Sequence, residues 1–150
     1  MTPVPNALET RRSLPIALLR AREKVMGPIR AMLADAGVTE QQWRVLRVLD
    51  ERGPLDATEI AERSVLLLPS LTRILQTLAA KGLVTRTAHP TDRRKQLVTI
   101  TVAGQSLIAE NLRESQRLTQ WLRDSLGAER LDLLLDLLNE LDQLERPDGK

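Results

Sequence analysis

After Gly82 the spacing of apolar residues changes, and this change constrains the fold more than any other feature of the chain. Before it, the run VLLLPSLTRILQTLAAKG places Leu71, Ile74, Leu75 and Leu78 at helical intervals, with Ser70, Thr72, Arg73, Gln76 and Thr77 on other faces. After it, Leu83-Val-Thr-Arg-Thr and Gln96-Leu-Val-Thr-Ile-Thr follow the two-residue period of half-buried strands. The segment between them, HPTDRRK, then becomes the tip of a hairpin. A helical period resumes at Thr101, which suits the cap of a long helix over about 102–125, and Gly127 opens another through Leu131, Leu134, Leu138 and Leu141. One small hairpin set among helices makes the chain mainly α.

The helices before the hairpin have local start and stop signals. Leu18, Val25, Ile29 and Met32 recur at helical spacing, so a long helix is expected from Ser13 to about Asp35, kinked but not broken at Gly27-Pro28. Thr39-Glu-Gln-Gln42 is a capping box, in which hydroxyl and amide satisfy two otherwise orphaned N–H groups, and Val38 with Trp43 forms its hydrophobic staple. Asp56-Ala-Thr-Glu59 repeats the device, with Leu55 and Ile60 as staple, and opens a helix of about two turns. Pro69 suits the first position of the next helix, where its missing N–H costs nothing, and Gly82 its C-cap. The resulting order is a winged helix-turn-helix with helical extensions at both ends. The divisions expected are a loose arm over 1–12, an N-terminal helix over 13–36, the winged domain over 37–101, C-terminal helices over 102–146 and a short tail over 147–150.

Composition narrows the chemistry. The chain has no Cys and one His, His89, which removes disulfides and thiolate sites and leaves no His-based metal site or cofactor to expect. No nucleophile–base set, glycine-rich phosphate loop or metal spacing points to an enzyme. No apolar run is long enough to span a bilayer and the first residues lack a signal-peptide core, so a cytoplasmic protein without a membrane partner is expected. Net charge is only +2, but it is unevenly spread. Residues 63–95 carry seven cations against one anion, whereas residues 126–150 carry three against seven. A basic middle of this kind suggests a polyanion partner, although charge alone fits a solvated surface too.

The helix-turn-helix TEIAERSVLLLPSLTRILQTLAAKGLVTR and the wing TDRRKQLVTITVAGQ resemble the MarR family of transcription regulators. Thr72-Arg73, Lys81-Gly82-Leu83-Val84, Asp92-Arg93-Arg94 and Ile100-Thr101 with Gly104 carry the likeness, which extends from about 13 to 145. More narrowly, LPIALLRAREKVM, VTEQQWRVLRVLD and PSLTRIL are similar to repressors of homoprotocatechuate degradation operons. Leu68 departs from the family, many of whose members place Ser or Thr directly before the recognition-helix Pro.

The resemblance implies a homodimeric regulator of double-stranded DNA with a pseudo-palindromic operator; a winged-helix module that shapes DNA or binds a protein is the alternative. Pro69, Ser70, Thr72, Arg73, Gln76 and Thr77 then belong to the DNA-facing helix. Gln76 suits adenine, Arg73 guanine or a phosphate, and Ser70 and Thr72 phosphates. Arg86, Arg93 and Lys95 add cations, and Arg94 is the wing residue expected in the minor groove. Asp92 is expected to hold Arg94 or its neighbour, because a carboxylate turned toward phosphates would be repelled. The resemblance also implies dimerisation through the terminal helices, by Leu131, Leu134, Leu138 and Leu141 with the N-terminal helix. A phenolic or aromatic carboxylate effector is a further implication, with Ser13, Arg20, Arg22 and Trp43 as candidate contacts; Trp43 as a core residue and the arginines paired to Glu23 or Glu40 are the alternatives.

Overall fold

The computed structural model describes residues 9–147. Its elements are α1 (Leu14–Ala36), α2 (Glu40–Arg52), α3 (Ala57–Ser64), α4 (Leu68–Ala80), β1 (Val84–Ala88), β2 (Gln96–Ile100), α5 (Val102–Leu126) and α6 (Ala128–Gln143). A 3-10 turn over Thr10–Arg12 precedes α1, so the last part of the expected loose arm is folded. The rest of that arm, residues 1–8, and residues 148–150 of the expected tail lie outside the described residues. The chain divides into two compact units, Met1–Leu112 and Arg113–Lys150, with the boundary inside α5.

The first unit is assembled by its caps and its leucines. Gln42 N–H donates to Thr39 Oγ and Thr39 N–H to Gln42 Oε1, both at 3.1 Å. Glu59 N–H donates to Asp56 Oδ1 at 2.9 Å and Asp56 N–H to Glu59 Oε2 at 3.1 Å. These reciprocal bonds set the starts of α2 and α3 and so the faces they bury. Val45, Leu46 and Leu49 of α2, Ile60 of α3, and Leu71, Ile74, Leu75 and Leu78 of α4 form the core with Leu33 of α1. Each such fully buried aliphatic side chain contributes about 1.5–3 kcal/mol before entropy is charged against it. α1 runs through Pro28 without a break.

Two helix ends differ from the expectation. α4 starts at Leu68 with Leu67 as N-cap, so Pro69 occupies the second helical position and not the first; Leu67 offers no side-chain acceptor that would have marked the start. Its C-cap is Lys81, and Gly82 follows at φ +72°, a left-handed conformation that suits glycine.

β1 and β2 pair antiparallel from Val84↔Ile100 to Ala88↔Gln96. Leu55 bridges to β2 as well: its N–H donates to Val98 O at 3.2 Å and its carbonyl accepts Val98 N–H at 2.8 Å. The hairpin is thereby fastened beside the start of α3.

Val65, which ends α3, has φ 55° and ψ 54°. A β-branched residue in this left-handed region is strained, and the Val65 side chain is 79% exposed, so packing returns little of that cost. Val65→Asn is expected to raise stability by about 1 kcal/mol, since Asn tolerates this conformation. The urea midpoint checks it, and an unchanged or lower midpoint contradicts the strain.

In the second unit, Arg123 donates to Asp132 Oδ1 at 3.2 Å, tying the end of α5 to the start of α6. Leu131 is buried there, whereas Leu134, Leu138 and Leu141 are exposed, as are Leu133, Leu137 and Leu144. Leu131 is thus covered within its own chain, a difference from Leu134, Leu138 and Leu141 that helical periodicity does not show, because it identifies an apolar face without saying what covers it.

Candidate nucleic-acid interface

Burial of Leu71, Ile74, Leu75 and Leu78 turns the opposite face of α4 to solvent. Pro69, Thr72, Arg73, Gln76 and Thr77 are all exposed on it, and Ser70 is half-buried at its edge. Arg73 and Gln76 stand three residues apart and so share a side of the helix. Thr72 and Thr77 have their hydroxyls donated to Leu68 O and Arg73 O, each at 3.2 Å. Their oxygen lone pairs remain open, but a phosphate contact requires the hydroxyl to turn away from its helical carbonyl.

Facing α4 across a cleft of about 360 Å³ are Arg86 on β1 and Arg94 and Lys95 on the wing; Thr72, Leu68 and Asp56 line the same cleft. Three cations along one opening make it a path for an anionic chain.

The wing carrying them is held by its own short-range bonds. Asp92 Oδ1 accepts Arg94 N–H at 3.0 Å and Arg94 Nε at 3.4 Å, while the Arg94 side chain remains 92% exposed. That backbone N–H chiefly holds the Asp92 carboxyl below the usual carboxylate range; the Arg94 guanidinium helps, desolvation opposes it, and Lys95 and His89 assist. A lowered carboxyl pKa means that this support is complete above the ordinary aspartate range and is lost as pH falls through the lowered value. At neutral pH, Asp92→Ala is therefore expected to speed amide exchange at Arg94 severalfold, and Asp92→Asn, which retains an acceptor oxygen, to do so less. Equal exchange in all three proteins contradicts this role.

Two features of the wing escaped the sequence reading. His89 Nδ1 accepts the N–H groups of Thr91 at 3.2 Å and Asp92 at 3.1 Å, so the single histidine organises the hairpin tip. A ring acceptor two and three residues ahead of free amides was the available signal. Lys95 Nζ approaches Asp56 Oδ2 at 3.5 Å and joins the wing to the cap of α3. Asp56 is itself held below the usual carboxylate range, first by the Glu59 N–H and secondarily by Lys95. Arg93 is exposed at the tip. Lys81 is spent elsewhere: its Nζ donates to Gly37 O at 2.7 Å and to Gln42 Oε1 at 3.4 Å, closing the end of α1.

The candidate effector contacts are only partly gathered. Arg22 bonds Glu40, which also accepts Arg30 Nε at 3.2 Å, and Arg30 forks onto Glu23 with two bonds of 2.8 Å. Trp43 is 8% exposed in the core. Arg20 is exposed, and two residues of helix turn it to a different side of α1 from Arg22. Ser13 is half-buried at the N-cap of α1. Sequence reasoning passed over Arg44, next to Trp43. Its Nε is buried without a hydrogen-bond partner, and burial together with the Arg22 cation pushes its pKa down.

Among the described residues no helix is long and apolar enough to cross a membrane. The outward face of α4, the turn before it and the cationic wing define a winged helix-turn-helix protein of the DNA-binding class. Residues 38–95 match the MarR family. The chain is 39% identical over 133 residues to the HTH-type transcriptional regulator FarR of Neisseria gonorrhoeae, spanning 89% of this chain and 91% of that protein. It is 37% identical over 128 residues to the homoprotocatechuate degradative operon repressor of Escherichia coli, spanning 85% and 86%. NadR in complex with 4-hydroxyphenylacetate matches the structure with a TM-score of 0.81 at 39% identity, over 89% of this chain and 94% of that one. The repressor CouR bound to a 23-mer DNA duplex matches with 0.80 at 30% identity, over 87% and 93%. The chain belongs to the MarR family and is a DNA-binding transcription regulator. Members of this family act as dimers.

Proposed function

We propose that the protein is a homodimeric, effector-responsive repressor of an aromatic-compound catabolic operon, working in the cytoplasm without catalytic activity. The observation that carries the DNA reading is the cleft in which α4 meets Arg86, Arg94 and Lys95. α4 enters the major groove, with Arg73 on guanine or a phosphate and Gln76 on adenine. Pro69, Ser70, Thr72 and Thr77 lie against the backbone at the groove wall, and Arg86, Arg93 and Lys95 neutralise phosphates. Arg94, steadied by Asp92, enters the adjacent minor groove.

Two copies bring two α4 helices to half-sites separated by about 10 base pairs. The exposed leucines Leu134, Leu138 and Leu141 of α6 leave apolar surface for a second copy to cover, and Leu14, Leu18 and Leu19 of α1 do so separately.

The effector proposed is a phenolic or aromatic carboxylate. NadR was solved with such an acid, and the Escherichia coli relative is a repressor of homoprotocatechuate degradation. In this chain Arg44, with its unpartnered Nε beside Arg22, is the cation best prepared for a carboxylate, and Trp43 adjoins it in sequence. Ser13 and Arg20 complete the candidate set.

A gel-shift competition between the gene's own upstream DNA and random duplex tests the regulator. Preference for the upstream DNA is expected; equal affinity for both supports a module that binds DNA without regard to sequence. Isothermal titration with 4-hydroxyphenylacetate and 3,4-dihydroxyphenylacetate tests the effector. Heat from either is expected, and silence from both in a DNA-competent protein removes the aromatic-acid assignment.

A further inference from the structure

The turn that delivers α4 exposes aliphatic surface where a helix start ordinarily carries polar groups. Val65 is 79% exposed, Leu67 76% and Leu68 48%, while Leu66 between them packs against the core. Leu67 is the N-cap of α4 and makes no side-chain cap bond. Ser, Thr, Asp or Asn there would satisfy an orphan N–H, as Thr39 and Asp56 do for α2 and α3. Neither capping at Leu67 nor the buried half of Leu68 accounts for the apolar surface that the two leucines leave exposed.

Their location does. Leu68 lines the same cleft as Thr72, Arg86, Arg94 and Lys95, and Leu67 precedes it at the tip of the helix that reads DNA. A major groove presents donors and acceptors at its base edges and one apolar group, the C5-methyl of thymine. Exposed leucines at the leading end of a groove-reading helix have that methyl as their complementary surface.

We infer that Leu67 and Leu68 are specificity-determining residues that select thymine in each operator half-site by packing on its C5-methyl. This inference rests on the DNA-binding reading. It adds an apolar component to base recognition that Arg73 and Gln76 cannot supply, because both read hydrogen bonds.

Deoxyuridine is the discriminating probe, since it pairs as thymine does and lacks only the methyl. An operator is first selected from random duplexes with the full-length protein, and each thymine is then replaced singly by deoxyuridine. At one or two thymines per half-site, affinity is expected to drop about fourfold for each buried methyl removed. The variant L67A/L68A, with folding verified by circular dichroism, is expected to bind the thymine operator less tightly and to become indifferent to deoxyuridine at those positions. L67M/L68M, which retains apolar reach, keeps the discrimination. If no thymine responds, or if the alanine variant still senses the methyl at the same positions, the inference fails while operator binding stands. If no sequence is selected over random DNA, the regulator reading fails with it.

Discussion

Replacing Arg73 and Arg94 together by alanine is expected to lower operator affinity at least about a thousandfold at physiological salt, while leaving the fold intact. Both side chains are exposed, so their loss removes no core packing. Each arginine contact with base or backbone is worth about 1–3 kcal/mol, and a dimer loses four of them. The salt dependence changes in the same experiment. If each arginine displaces the counterions of one phosphate, the slope of log affinity against log salt flattens by about 3.6 units. Fluorescence anisotropy across a potassium chloride series measures both quantities. Unchanged affinity and slope in a folded dimer would show that α4 and the wing do not hold the duplex.

Gly104→Ala is expected to cost about 3 kcal/mol of stability, the upper part of the range for overpacked sites. A Cβ at Gly104 would lie 2.5 Å from Leu83 O and 2.6 Å from Ile100 Cγ1. The carbonyl cannot easily yield, because it accepts Thr101 N–H at 3.0 Å. Thr101 in turn donates its hydroxyl to Gly82 O at 2.7 Å and accepts Gly104 N–H at 3.1 Å. The strain therefore falls where α4, β2 and α5 meet, and operator affinity should fall with stability as the wing loses its footing. Gly27 supplies the control. Its added Cβ would meet nothing within 4 Å apart from its chain neighbours, and the crowding of a Cβ against the Pro28 ring offsets the helix propensity gained inside α1, so Gly27→Ala is expected to change stability by less than about 1 kcal/mol. Chemical denaturation of both variants checks the contrast; equal midpoints would show that the close approach at Gly104 relaxes without cost.

The elements were legible because their signals are short-ranged. Both capping boxes link residues three apart, and the change of period after Gly82 is visible within a dozen residues. Asp92 with Arg94 is equally local, which is why charge order narrowed its partner to Arg94 or a neighbour, and the bonds to Asp92 Oδ1 are Arg94's. The start of α4 was misplaced by one residue for the same reason in reverse: Leu67 carries no capping atom, so nothing local marks it.

Longer-range pairings left no comparable trace. Lys81 reaches Gly37 across 44 positions and Lys95 reaches Asp56 across 39, and neither partner is adjacent to a motif that requires it. Arg44 was indistinguishable in sequence from the other arginines of α1 and α2, because an unpartnered Nε is a property of its surroundings. Leu131 and Leu134 belong to the same apolar pattern, yet one is buried and the other exposed.

By itself, then, the amino-acid order determined which segments are helices, where the hairpin lies and that a cationic tip follows α4. Only the tertiary structure decided how each cation is placed: Lys81 closes α1, Lys95 leans on Asp56 while still lining the cleft, and Arg94 remains exposed on the wing. The physical reason is range. Helix caps and periodicity act over three or four residues along the chain, whereas ion pairing acts over a few ångströms of space between residues that the fold alone brings together.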